Sequence, residues 1–137
     1  PHRHIQLLRR EPSEISCPRE KWILNFSKLN YKKNRFCENI LIKKFSKSLC
    51  KENIYAIYVD LSNKLGLGDP EIDIRPRYPY NLIFTNKWMA LIKRKRDNIH
   101  GISINALGFA GYILVTENSN ITYLKKYGPE KLLENFI

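Results

Sequence analysis

His2, His4 and Gln6 stand at alternate positions of Pro1-His2-Arg3-His4-Ile5-Gln6. Alternate side chains of an extended segment share a face, so two imidazoles and an amide would project together. That set suits phosphoryl chemistry. A neutral imidazole can attack phosphorus, and an amide N–H can bond a non-bridging phosphate oxygen. On spacing alone, a frayed terminus or a tag remnant carries the same pattern, and the rest of the chain must decide.

The elements that would position these groups follow from periodicity and punctuation. Residues 4–9 read as a short strand, followed by a polar stretch broken by Pro12 and Pro18, and residues 21–26 as a second strand. Residues 31–37, basic and carrying Asn34 and two aromatics, read as a loop. Ile42, Phe45 and Leu49 fall at helical spacing. So do Ile54, Ile57, Tyr58, Leu61 and Leu65, with Gly66 and Gly68 closing that helix.

Residues 69–79 form a linker with three prolines, and residues 80–85 and 88–92 a hairpin around Asn86-Lys87. Residues 102–115 are apolar and punctuated by glycine, which favours close backbone approach over a helix interior. Two short helices, 119–127 and 129–136, end the chain, with Gly128 closing the first and Pro129 opening the second. Strands and helices mix without regular alternation, so the expected class is α+β with a largely antiparallel sheet.

Composition bounds the function classes. The chain has 137 residues, 43% of them apolar and 12% aromatic. That is one domain or part of one, and it is not disordered. No apolar run approaches the ~20 residues of a membrane span, and no signal peptide opens the chain. The chain does not begin with Met, so a fragment or a processed product is expected. Cys17, Cys37 and Cys50 are odd in number and form no Cys-x-x-Cys pair. Reduced thiols and a cytoplasmic location are expected, rather than a disulfide framework or a zinc site.

The net charge of +11 fits a polyanionic partner or merely a basic surface. Most basic pairs are scattered, as a solvated face would be, but the run from Lys93 to Arg96 ends an expected strand.

Residues 1–7 resemble the His-x-His-x-Gln signature of the nucleotidyl-transferase branch of the histidine-triad superfamily. The fit is to the ATP adenylyltransferases, also called diadenosine tetraphosphate phosphorylases. Two further stretches are similar to that family's C-terminal region: Tyr80-Asn81-Leu82-Ile83-Phe84-Thr85-Asn86-Lys87-Trp88-Met89, and residues 101–115 with their Asn105-Ala106-Leu107-Gly108-Phe109-Ala110-Gly111. The terminal Gly128-Pro129 and its Leu-containing helix fit as well. The chain departs from the family pattern at Ile92-Lys93-Arg94, where a Val-Pro-Arg is usual, and at residues 41–45, which lack a proline and a histidine. The resemblance implies a histidine-triad-like α+β fold with flanking helices. It also implies that the chain is the C-terminal portion of an enzyme whose upstream half is missing. Residues 1–10 would be the histidine strand, 11–77 a variable linker with helices, and 78–137 the family C-terminal region.

The resemblance also implies a reaction. His4 would be the nucleophile on the α-phosphorus of diadenosine tetraphosphate, releasing ATP, and phosphate would then take the adenylyl group to give ADP. His2 would orient or hydrogen-bond. Gln6 would hold the phosphoryl oxygens; an amide cannot shuttle a proton to water as a third histidine can, which favours transfer to phosphate over hydrolysis.

Asn81, Thr85, Met89, Lys93 and Arg94 are candidates for nucleotide and polyphosphate contacts, since strand-end cations neutralise a tetraphosphate. Each has a structural alternative, core packing for Met89 and turn capping for Asn81. Ser103 and Asn105 can bond phosphate or their own backbone, and Trp88 reads as core. The expected partners are diadenosine tetraphosphate, ATP, ADP and phosphate, with no tightly held cofactor and a divalent cation such as Mg2+ accompanying the nucleotide. The alternatives are a hexose-1-phosphate uridylyltransferase, against which residues 105–111 argue, and a basic module for RNA or another polyanion. Scattered charge and the lack of an RNP-like strand argue against nucleic acid.

Overall fold

The computed structural model describes residues 5–8, 11, 13–14, 17–25, 35–45 and 50–137. Among them, strands β1 (Ile40–Lys44), β2 (Tyr80–Phe84) and β3 (Trp88–Lys93) form an antiparallel sheet with β3 in the centre. The sequence explains the order. Trp88-Met89-Ala90-Leu91-Ile92 is a continuous apolar run, buried on both faces as a central strand requires, whereas β2 alternates half-buried with exposed positions. Register sets Ala90 beside Ile42 and Ile83, and Ile92 beside Ile40 and Asn81.

One face of β3 presents Met89 and Leu91 to Leu61, Leu65 and Leu67, at the end of helix α3 (Lys51–Lys64) and just beyond it. The other face presents Trp88, Ala90 and Ile92 to a larger core. That core is built by α1 (Glu20–Asn25), α2 (Arg35–Asn39), the hairpin β4 (Asn98–Ile99) and β5 (Ile102–Ser103), α4 (Ala106–Ala110) and α5 (Ile121–Glu134). The class is the expected α+β with antiparallel pairing throughout. No helix among the described residues is long and apolar enough to cross a membrane.

Local signals placed several elements well. The hairpin of β2 and β3 forms where expected, with its turn at 85–87. Helix α3 ends in a Schellman motif: Gly66 N–H donates to Asn63 O and Leu67 N–H to Ser62 O, both at 3.0 Å, with Gly66 at φ +71°. The terminal pair of helices is present as α5 on either side of a non-helical Gly128, starting at Ile121 rather than at residue 119 and capped by Asn120.

Several element assignments are corrected. Residues 21–25 belong to helix α1, not to a strand; Glu20 N–H donates to Cys17 O and Ile23 N–H to Arg19 O, and Ile23 is buried beside Trp88 and Ala110. Ile42 lies in strand β1, where pairing with β3 and a β-branched run outweigh the helical spacing; Leu49 lies outside the described residues. Residues 35–37, the described part of the expected loop 31–37, belong to α2. Residues 5–8 have no regular structure, and Ile5 and Leu7 are exposed, because no described strand pairs with them. Residues 4 and 9 of that expected strand lie outside the described ones. Close approach did select glycine at Gly108, but inside a helix: a Cβ there would meet the Ile104 side chain at 2.8 Å.

Candidate functional site

Asn105 stands in extended conformation directly before α4, and its Oδ1 accepts the Gly108 N–H at 3.2 Å. This is the side-chain cap that a short helix needs for an otherwise unpaired backbone donor. The other end of the same amide reaches away from the helix, and Asn105 Nδ2 donates to Gln6 Oε1 at 3.3 Å. Gln6 is thereby held at the start of α4, although 99 residues separate the two in sequence. Both side chains are exposed. His2 and His4, the other members of the expected catalytic set, lie outside the described residues.

Arg94 approaches the same corner from the end of β3. Its Nη1 donates to Ile104 O at 2.9 Å and stands 3.2 Å from Asp97 Oδ1, and its side chain is only 16% exposed. Because Ile104 precedes Asn105, Arg94, Ile104, Asn105 and Gln6 form one connected path. Asn81 lies opposite Ile92 and therefore on this face of the sheet, with its Nδ2 buried and without a hydrogen-bond partner. Arg94 Nε is likewise buried and unpartnered. Two buried donors on one side of β2 and β3 leave capacity for an acceptor there.

The remaining candidates are held elsewhere. Lys93 is opposite Tyr80 on the α3 side, with its Nζ 5.1 Å from the centre of the Tyr78 ring. Strand alternation thus sends Lys93 and Arg94, neighbours in sequence, to opposite faces. Met89 is 1% exposed within the α3 core, so it is packing rather than a ligand contact. Thr85 Oγ1 accepts from Lys87 N–H and Trp88 N–H, both at 3.1 Å, and holds the hairpin turn. Ser103 Oγ accepts from Asn98 Nδ2 across the β4–β5 hairpin. Trp88 is fully buried as expected, its Nε1 donating to Glu20 Oε1 at 2.9 Å.

The far end of α4 is anchored by Arg19, a residue whose role the sequence reading missed. It donates to Phe109 O at 3.3 Å and to Glu130 Oε2 at 2.6 Å, and its guanidinium lies 3.9 Å from the centre of the Trp22 ring. Burial pulls the Arg19 pKa below its usual value, while the Glu130 charge pushes it back up. The buried Cys17 thiol donates to Ala110 O at 3.1 Å beside it. Signals for these anchors were slight: Asn105 before an apolar Gly-containing run reads as a cap, but nothing local pairs Arg19 with α4.

Among the described residues no cluster of three His, Cys, Asp or Glu could hold a metal ion. No curated protein and no solved structure matches the chain significantly. The ATP adenylyltransferase C-terminal domain matches residues 17–136, a span that includes the whole sheet, Asn81, Arg94 and Asn105 and begins after Gln6. The chain therefore belongs to the ATP adenylyltransferase family, in its C-terminal portion.

Proposed function

We propose that this chain is the C-terminal part of a nucleotidyltransferase that cleaves diadenosine tetraphosphate with phosphate, giving ATP and ADP, and that also runs the reverse transfer. The observation that carries the reading is the Asn105–Gln6 hydrogen bond, which seats the last residue of the His-x-His-x-Gln segment against the family's C-terminal domain. In the first step a ring nitrogen of His4 attacks the α-phosphorus. A P–N bond forms, the P–O bond to the bridging oxygen breaks, and ATP leaves. In the second, a phosphate oxygen attacks the same phosphorus, the P–N bond breaks, and ADP leaves with the imidazole restored. Splitting one displacement in two lets each occur in line.

Gln6 donates to the phosphoryl oxygens and, having no titrating proton, gives water no general base. His2 orients. Arg94 and Asn81 supply donors on the α4 side, and a divalent cation such as Mg2+ travels with the substrate polyphosphate. We place the reaction in the cytoplasm, the compartment expected from an odd number of cysteines with no Cys-x-x-Cys pair.

The test uses the full-length enzyme. Labelled phosphate supplied with diadenosine tetraphosphate should appear in ADP; water-derived oxygen in the product instead would make the protein a hydrolase. Without phosphate, intact mass should show an adenylyl adduct that His4→Gly abolishes and His2→Ala slows without abolishing. Survival of the adduct in the His4 variant would remove His4 as nucleophile.

A further inference from the structure

Gly108 N–H is a backbone donor, so its polarity is not in question. It points at Asn105 and requires the oxygen end of that amide, Oδ1, at 3.2 Å. The nitrogen end is then the only group Asn105 can offer on its other side, and Nδ2 is a donor only. It needs an acceptor and finds Gln6 Oε1 at 3.3 Å. With Oε1 so engaged, the Nε2 end of Gln6 is turned away from Asn105. A chain of fixed polarity thus runs from the α4 backbone through two amides. We infer that Asn105 is a positioning residue, setting which end of the Gln6 amide faces the reacting phosphoryl group.

This rests on the reading of Gln6 as a phosphoryl donor. The consequence is chemical. Unrestrained, a glutamine amide samples both orientations, and in one of them its carbonyl oxygen faces a negatively charged phosphate oxygen. Asn105 removes that orientation before substrate arrives, the preorganisation that makes a donor useful in a transition state. The cap itself keeps Asn105 from turning, because reversing its amide would set Nδ2 against Gly108 N–H. A Cβ on Gly108 would meet the Ile104 side chain at 2.8 Å, and Ile104 is the residue whose carbonyl Arg94 bonds.

The experiment is a double-variant cycle on the full-length enzyme: wild type, Asn105→Ser, Gln6→Ala and the pair, with phosphorolysis kcat, KM and thermal midpoint measured for each. Serine caps a helix as well as asparagine does but is too short to reach Gln6. Asn105→Ser should melt with the wild type and lose about tenfold in kcat with little change in KM. In the Gln6→Ala background the same substitution should change nothing further. Asn105→Asp retains the cap yet accepts where Asn105 donates, so it should reverse the Gln6 amide and lose more kcat than the serine variant; it carries the same comparison if the serine variant fails to fold. Equal losses from Asn105→Ser in both backgrounds, or no loss in either, would overturn the inference while leaving the role of Gln6 intact. If Gln6→Ala itself leaves kcat unchanged, the reading of Gln6 fails, and this inference with it.

Discussion

Arg94 donates from Nη1 to the carbonyl oxygen of Ile104 at 2.9 Å, tying the end of the central strand to the residue that precedes the α4 cap. Its sequence neighbour Lys93 points to the opposite side of the sheet. The two cations therefore have separable roles. Arg94→Ala should cost about 1–3 kcal/mol, because Ile104 O loses this donor in a largely buried setting, and should also raise KM for diadenosine tetraphosphate. Lys93→Ala should stay within about 0.5 kcal/mol and leave KM within about twofold. Urea unfolding and steady-state kinetics on both variants check this; equal effects on KM would put the substrate across both faces.

Asn81 tests whether the unpartnered donors on the α4 side serve substrate. Its Nδ2 is buried without a hydrogen bond, a state that costs free energy unless a ligand meets it. Asn81→Leu keeps the volume and removes the polar group, so stability should rise by up to about 1 kcal/mol. KM should rise at the same time. A variant that is more stable and equally active would make Asn81 a structural residue only.

Arg19 makes three different contacts at once, to Phe109 O, to Glu130 and to the Trp22 ring. A lysine ammonium cannot reproduce that planar fork and stack. Arg19→Lys should lower stability by about 1–2 kcal/mol, read as a shift in the denaturant midpoint at unchanged slope. Glu130→Gln should cost less, about 0–1 kcal/mol, since Glu130 is 55% exposed and its charge is screened. If the glutamine variant costs more than the lysine one, the ion pair and not the carbonyl bond and stack is the main anchor.

Gly111 and Gly66 both have positive φ, +115° and +71°, but differ in surroundings. A Cβ on Gly111 would sit 2.8 Å from Pro18 Cβ, whereas one on Gly66 meets nothing within 4 Å. Gly66→Ala should cost only backbone strain, about 1 kcal/mol. Gly111→Ala adds a clash that displaces the segment leading into α1, and should cost at least twice that, roughly 2–4 kcal/mol. Thermal unfolding of the two variants side by side measures the difference, and equal costs would mean the Pro18 segment yields freely.

How much was legible followed the distance over which each signal acts. The Schellman end of α3, the hairpin of β2 and β3 and the break at Gly128 are written within four or five residues, and the chain alone predicts them. The same holds for the continuous apolar run of β3, which can only be a buried strand once the turn at 85–87 limits its length. Residues 21–25 and 40–44 misled because short apolar stretches satisfy both periods, and the partner decides. Ile42 extends because β3 lies beside it, and Ile23 turns into a helix because the Trp88 and Ala110 surface accepts a helix there.

By itself the sequence determined the α+β class and the burial of Trp88, and it set two histidines and a glutamine at alternate positions of residues 2–6. Tertiary structure alone decided that Gln6 meets Asn105 across 99 residues, that Arg94 bonds the Ile104 carbonyl, and that Met89 is core. The physical reason is one of range. Side-chain type and short spacing constrain the backbone locally, whereas which donor meets which acceptor depends on how the sheet faces are covered, and α3 and α4 settle that from opposite sides.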